Sequence, residues 1–80
     1  MDKWEVKWTE GASKLLLNRT IVKVRYMTDE EKEGVNWDSK PIVLILDNGT
    51  SIYPSRDSEG NDGGSLFTNH IDLPVIPVLG

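Results

Sequence analysis

The sequence predicts a mainly β domain: a small barrel or a rolled antiparallel sheet of about five strands, with one short helix. Three observations lead there. Apolar and polar residues alternate from Trp4 to Thr9 and again from Thr20 to Met27, the period-two pattern of half-buried strands. Ile42-Val43-Leu44-Ile45-Leu46 is a continuous apolar run that leads into Asn48-Gly49, the favoured two-residue hairpin turn. A sheet this short leaves edges exposed, and closure into a barrel removes them.

In chain order, Trp4, Val6 and Trp8 alternate with Lys3, Glu5, Lys7 and Thr9 as a first strand, interrupted at Gly11-Ala12-Ser13. Leu15-Leu16-Leu17 is too short for its periodicity to choose between a helical turn and a brief strand. In the second strand, Val22, Val24 and Tyr26 share one side, and Lys23 and Arg25 take the other. Thr28-Asp29-Glu30-Glu31 has the form of a capping box, with Gly34 as the stop of a helix of about one and a half turns. A two-residue turn at Asn48-Gly49 pairs Ile45 with Ile52 and Leu44 with Tyr53, placing Val43, Ile45 and Ile52 on one face. Ser55 to Gly64 is a polar loop, Ser65 to Thr68 resumes order, and Pro74 and Pro77 restrict Val75 to Leu79 to an edge. At least four of the six aromatic residues are expected in the core; Trp4 and Trp8 are read as core too, since a domain this small needs its large side chains inside, and their exposure would instead mark an interface.

Eighty residues fit a single domain, 1–80, with residues 1–13 as a peripheral N-terminal strand. There is no cysteine to form a disulfide or bind a metal, so stability must come from one small apolar cluster. A composition of 38% hydrophobic and 28% charged residues is that of a globular chain. The opening residues have no apolar leader, and no apolar stretch approaches the ~20 residues of a membrane helix. The expected location is therefore cytoplasmic, away from membranes. The net charge of -4 argues against a nonspecific nucleic-acid binder.

The loop Ser55-Arg56-Asp57-Ser58-Glu59-Gly60-Asn61-Asp62-Gly63-Gly64 is the densest polar constellation, and three readings compete for it. As a calcium loop starting at Asp57 it carries Asp62 where glycine is needed and Thr68 where glutamate is needed. As a catalytic site it has carboxylates but little burial to separate their pKa values. His70, the only histidine, stands near no Gly-x-Ser-x-Gly elbow. As a structural loop, Arg56 pairs with an acid and pins the loop to the sheet. Lys23 and Arg25 form a second polar feature, read either as a solvated strand face or as a site for an acidic protein segment or an RNA backbone.

Leu46-Asp47-Asn48-Gly49-Thr50, Ile52-Tyr53-Pro54-Ser55-Arg56-Asp57, Glu59-Gly60-Asn61 and Leu66-Phe67 together resemble a group of short uncharacterised bacterial proteins. With the strand at Ile21 to Tyr26 and the segment around Trp37, the resemblance spans about residues 17–79. It implies a small SH3-like barrel and carries no activity.

The resulting expectation is a noncatalytic binding or accessory module for an unidentified protein or peptide. Arg56, Asp57, Glu59, Asn61, Lys23 and Arg25 are its candidate partner-binding residues, and no catalytic residue, metal ligand or cofactor is expected. The alternatives are a small metal-dependent or hydrolytic activity on the 55–64 loop and a homodimeric structural protein.

Overall fold

The computed structural model describes residues 2–80. It is a small mixed α/β structure: α1 (Lys3–Leu16), β1 (Ile21–Tyr26), α2 (Asp29–Gly34), β2 (Ile42–Leu46), β3 (Ser51–Ile52), β4 (Leu66–Phe67) and β5 (Val75–Ile76). The strands form one antiparallel sheet of order β1-β2-β3 and a separate β4-β5 ribbon. Among the described residues no closed barrel forms, so both the barrel expected from the patterning and the SH3-like fold implied by the resemblance are corrected. β4 and β5 are two residues long and pair with each other, Leu66 with Ile76 and Phe67 with Val75. Pro74 and Pro77 bracket β5, and prolines have no amide hydrogen with which to extend a ladder towards the larger sheet.

The first expected strand is instead a helix of 14 residues. Asp2 caps it, its carboxylate accepting from the Glu5 amide at 2.8 Å. At the other end the Leu17 amide donates to the Ser13 carbonyl, and the Arg19 amide to that of Leu16. Asn18, with φ at 62°, makes the left-handed step that closes the helix. Leu15 and Leu16 thus belong to the last turn. α1 has no buried residue, and Trp4 and Trp8, expected in the core, are 59% and 68% exposed.

α2 follows the sequence expectation. Thr28 Oγ1 accepts from the Glu31 amide and Glu31 Oε1 accepts from the Thr28 amide, which completes the capping box. The helix includes Gly34 and is capped by Val35.

The sheet departs from a regular ladder at one place and from the expected register at another. Ile21 pairs with Leu46 but Lys23 pairs with Ile45, so Val22 is an extra residue, a β-bulge. In the hairpin, Leu44 pairs with Ile52 and Ile45 with Ser51. The Leu46 amide donates to the Thr50 carbonyl and the Gly49 amide to that of Leu46. The connection is therefore the three residues Asp47-Asn48-Gly49, with only Gly49 at positive φ (84°), rather than a two-residue turn. This one-residue difference moves Ile52 and Tyr53 to opposite faces from those expected. Arg25, Val43, Ile45, Ser51 and Tyr53 share the face towards α2, while Val24, Tyr26, Ile42, Leu44 and Ile52 share the other.

The core is small. Met27, Trp37 and Val43 form its cluster, with Ile45 packed against it, while Ile42 and Leu46 are buried on the other face of the sheet. Of the aromatic residues only Trp37 is buried; Tyr53 meets it edge-to-face at 5.8 Å, half exposed, and Phe67 lies mostly in solvent. The tail is fastened by a bridge between Lys40 and Leu79 and by the Tyr26 hydroxyl, which donates to the Pro77 carbonyl at 2.9 Å.

Candidate functional site

The 55–64 loop is held by its own polar groups. Asp57 accepts from the amides of Glu59 and Asn61 and from Asn61 Nδ2, and Asn61 Nδ2 also reaches Glu59. These bonds hold the Asp57 carboxyl below its usual pKa, the Asn61 side chain contributing most. Asp62, not Arg56, ties the loop to the body: one carboxylate oxygen accepts from the amides of Asp38, Ser39 and Gly63. Its pKa is likewise lowered, chiefly by the Gly63 amide. Trp37 Nε1 donates to the Gly60 carbonyl at 2.6 Å, and the Ser55 hydroxyl donates to that of Asp62. Arg56 pairs with Asp57 at 3.7 Å, as expected, but within the loop and with most of its side chain in solvent, so the tie to the body is made instead by the Asp62 carboxylate and the Trp37 indole. Asp62 carried no sign of this role beyond its place before Gly63-Gly64.

Lys23 and Arg25 separate in role. Arg25 grips Glu31 through two bonds, at 2.7 and 3.0 Å, joining β1 to α2. Lys23 is exposed on the sheet edge. The Arg25 side-chain bond, reinforced by the Thr28 amide, lowers the Glu31 pKa from 4.5 to about 2. A depressed carboxyl stabilises the fold fully above its unfolded pKa and loses that contribution as pH falls through its folded one. The contribution of Glu31 is therefore present above pH 4.5 and lost towards pH 2. Solvent around the pair keeps it modest. Urea midpoints measured across that window are expected to fall more steeply for the native chain than for Glu31→Gln; equal slopes would refute the coupling.

A well-formed concavity lies elsewhere. A groove of ≈ 360 Å³ opens between α2 and β3, lined by Met27, Glu31, Gly34, Val35, Val43, Ser51 and Tyr53. Its floor is Val43 and Met27, its walls are Val35 and Tyr53, and the Glu31 carboxylate lies at its rim held by Arg25. The register explains why sequence reasoning missed it: a two-residue turn would turn Tyr53 to the far face. β3 forms one edge of the sheet and pairs only with β2 among the described residues, and its Ser51 lines the groove. None of Arg56, Asp57, Glu59, Asn61 or Lys23 lines it; Arg25 reaches it only through Glu31.

A second feature is the bare face of α1. Trp4, Trp8, Gly11 and Leu15 fall at spacings of four, three and four, which places them along one helical stripe. Lys7 Nζ lies 5.3 Å from the Trp4 ring and 5.4 Å from the Trp8 ring, holding the two indoles under one ammonium. Ile21, Val22 and Val24 on β1 are exposed as well.

These features define a small mixed α/β domain with an apolar groove beside a sheet edge and an unpartnered amphipathic helix. Comparison with protein-family models, with curated proteins and with solved structures found no match to the chain. No helix among the described residues is long and apolar enough to cross a membrane.

Proposed function

We propose that the chain is a noncatalytic binding module that holds an extended protein segment along β3, with one apolar side chain of that segment in the α2–β3 groove. The observation that carries this reading is the adjacency of an apolar groove of ≈ 360 Å³ to a strand edge without a neighbour. Strand addition draws affinity from main-chain bonds along such an edge and specificity from a pocket that takes alternate side chains. The groove volume falls within the range of sites that enclose small groups. Its lining supplies no histidine and a single carboxylate already engaged by arginine, which suits recognition better than proton transfer. The 55–64 loop then serves to hold Trp37, and through it Tyr53, in place.

Selection from a displayed library of random peptides, followed by amide-shift mapping, tests the proposal. Selected peptides are expected to share one large apolar residue and to move the amides of Val35, Ser51 and Tyr53. Val35→Glu is expected to weaken them about tenfold or more, a difference of ~1.4 kcal/mol or above. Shifts confined to residues 56–61, or selected peptides indifferent to Val35→Glu, would refute the groove as the site.

A further inference from the structure

We infer that α1 pairs with α1 of a second copy of this chain, antiparallel, with Trp8 of each copy over Gly11 of the other and Trp4 against Leu15. The inference is independent of the groove and rests on the helix, the surface area and the spacing of the stripe.

A helix of 14 residues with no buried side chain and a glycine at its centre is marginal in water, even when well capped. The fold presents α1 complete yet buries none of its side chains. The chain as a whole is also under-buried. Its accessible surface is 6091 Å², against about 4,900 Å² expected for a compact monomer of its mass. Its radius of gyration is 13.9 Å, against about 12 Å for a compact chain of its length. The surplus area, roughly 1,200 Å², exceeds the ~800 Å² that each partner contributes to a standard stable interface.

The stripe indicates which partner. Spacings of four, three and four are those of a two-helix seam. In an antiparallel pair the order of the stripe is reversed in the partner, so the layers become Trp4 on Leu15 and Trp8 on Gly11. A side chain built at Gly11 would meet nothing within 4 Å, so the space above it is open to the facing indole. A parallel pair would instead stack Trp8 on Trp8 and leave a void at Gly11, which close packing disfavours. The stripe is thus its own complement, the condition for a two-fold contact. A lipid surface would leave the Gly11 notch unfilled. Asp2, Glu5 and Glu10 also balance Lys3, Lys7 and Lys14 along the helix, which removes the cationic draw to anionic lipid. Lys7 and Lys14 lie on one flank of the stripe and face their counterparts across the seam, so added salt strengthens the pair by screening them.

The full chain is the material for the test. Sedimentation equilibrium is expected to give twice the 9.0 kDa chain mass at concentrations up to about 100 µM, where a micromolar dimer (about 8 kcal/mol) is largely formed. Helical ellipticity should rise with concentration and with salt. Trp8→Asp should give a monomer that loses the α1 signal while the buried-type emission of Trp37 persists, which shows that the sheet still folds. The absence of cysteine permits a geometric check. Trp4→Cys chains mixed with Leu15→Cys chains should form a disulfide between unlike chains. Neither variant alone should, because like positions would lie roughly 16 Å apart along the helix axis and a disulfide needs Cα atoms within about 7 Å. A 9.0 kDa particle throughout, cross-linking of like chains as fast as of unlike ones, salt that weakens the pair, or helicity that appears only with lipid vesicles would each overturn the inference.

Discussion

Replacing Trp37 with alanine is expected to remove a quarter or more of the stability of the fold at 25 °C. Trp37 is the largest member of a core cluster that otherwise holds Met27 and Val43, and it is 8% exposed. Truncating a buried tryptophan costs about 3–5 kcal/mol. At roughly 0.05–0.15 kcal/mol per residue, a chain of this length has only about 4–12 kcal/mol in total. Two further contacts go with the ring: the edge-to-face packing on Tyr53 and the bond from Nε1 to the Gly60 carbonyl. Urea titration followed by circular dichroism reads the effect directly. Trp37→Phe keeps most of the ring contact and gives up the indole donor, so it should lie between the two, about 1–2 kcal/mol below the native chain. A Trp37→Ala chain within 1 kcal/mol of native, by the same ~1.4 kcal/mol-per-decade measure, would show that the core is not organised around this residue.

The second large effect is expected at Gly64→Ala. A Cβ built there lies 2.8 Å from both the carbonyl carbon and oxygen of Ser55 and 2.9 Å from the Arg56 nitrogen. All three are backbone atoms, held by the Ser55–Gly63 bridge and by the Gly64 amide, which donates to the Pro54 carbonyl. No rotamer relieves the clash, so the base of the loop must open. Overpacking of this kind costs about 1–3 kcal/mol, and more where backbone must move. Gly60→Ala is the informative comparison. Gly60 has φ at 73° but open space around its Cβ position, so alanine there meets only the left-handed backbone penalty of roughly 1–2 kcal/mol. Gly64→Ala is expected to shift the amide resonances of Ser55, Arg56 and Gly63 as the base of the loop opens, whereas Gly60→Ala should lower the melting temperature without that signature. Equal spectra for the two would contradict the close approach at Gly64.

The elements that sequence reasoning reached were those with a single local cause. Thr28 and Glu31 define a capping box through two short-range bonds, and the apolar run at 42–46 suits a central strand whatever surrounds it. The N-terminal segment was misread because Trp4 and Trp8 lie four apart, a spacing that satisfies both a period of two and one helical turn. The deciding positions were Asp2, which caps, and Leu15, which continues the helical stripe; Val6 pointed the other way. The hairpin was located correctly but set one residue out of register, because Asn48-Gly49 suits both a two-residue turn and the end of a three-residue one. That single step hid the groove, since it reversed Tyr53. Barrel closure was not legible because it depends on whether two-residue strands find a partner across the molecule, which no local pattern records. Of the candidate site residues, Asp57, Glu59 and Asn61 were visible as a polar cluster, but their mutual bonding arises from loop geometry.

The extra residue at Val22 bears on what kinds of assembly this chain permits. β1 is the long free border of the sheet, and an incoming strand there would meet a ladder whose spacing slips partway along. Growth by backbone zippering, which has no natural end, is thereby discouraged, while contact through side chains of a helix terminates once two faces are joined. At the β1 border, one misfit in the edge works against fibre growth by strand addition.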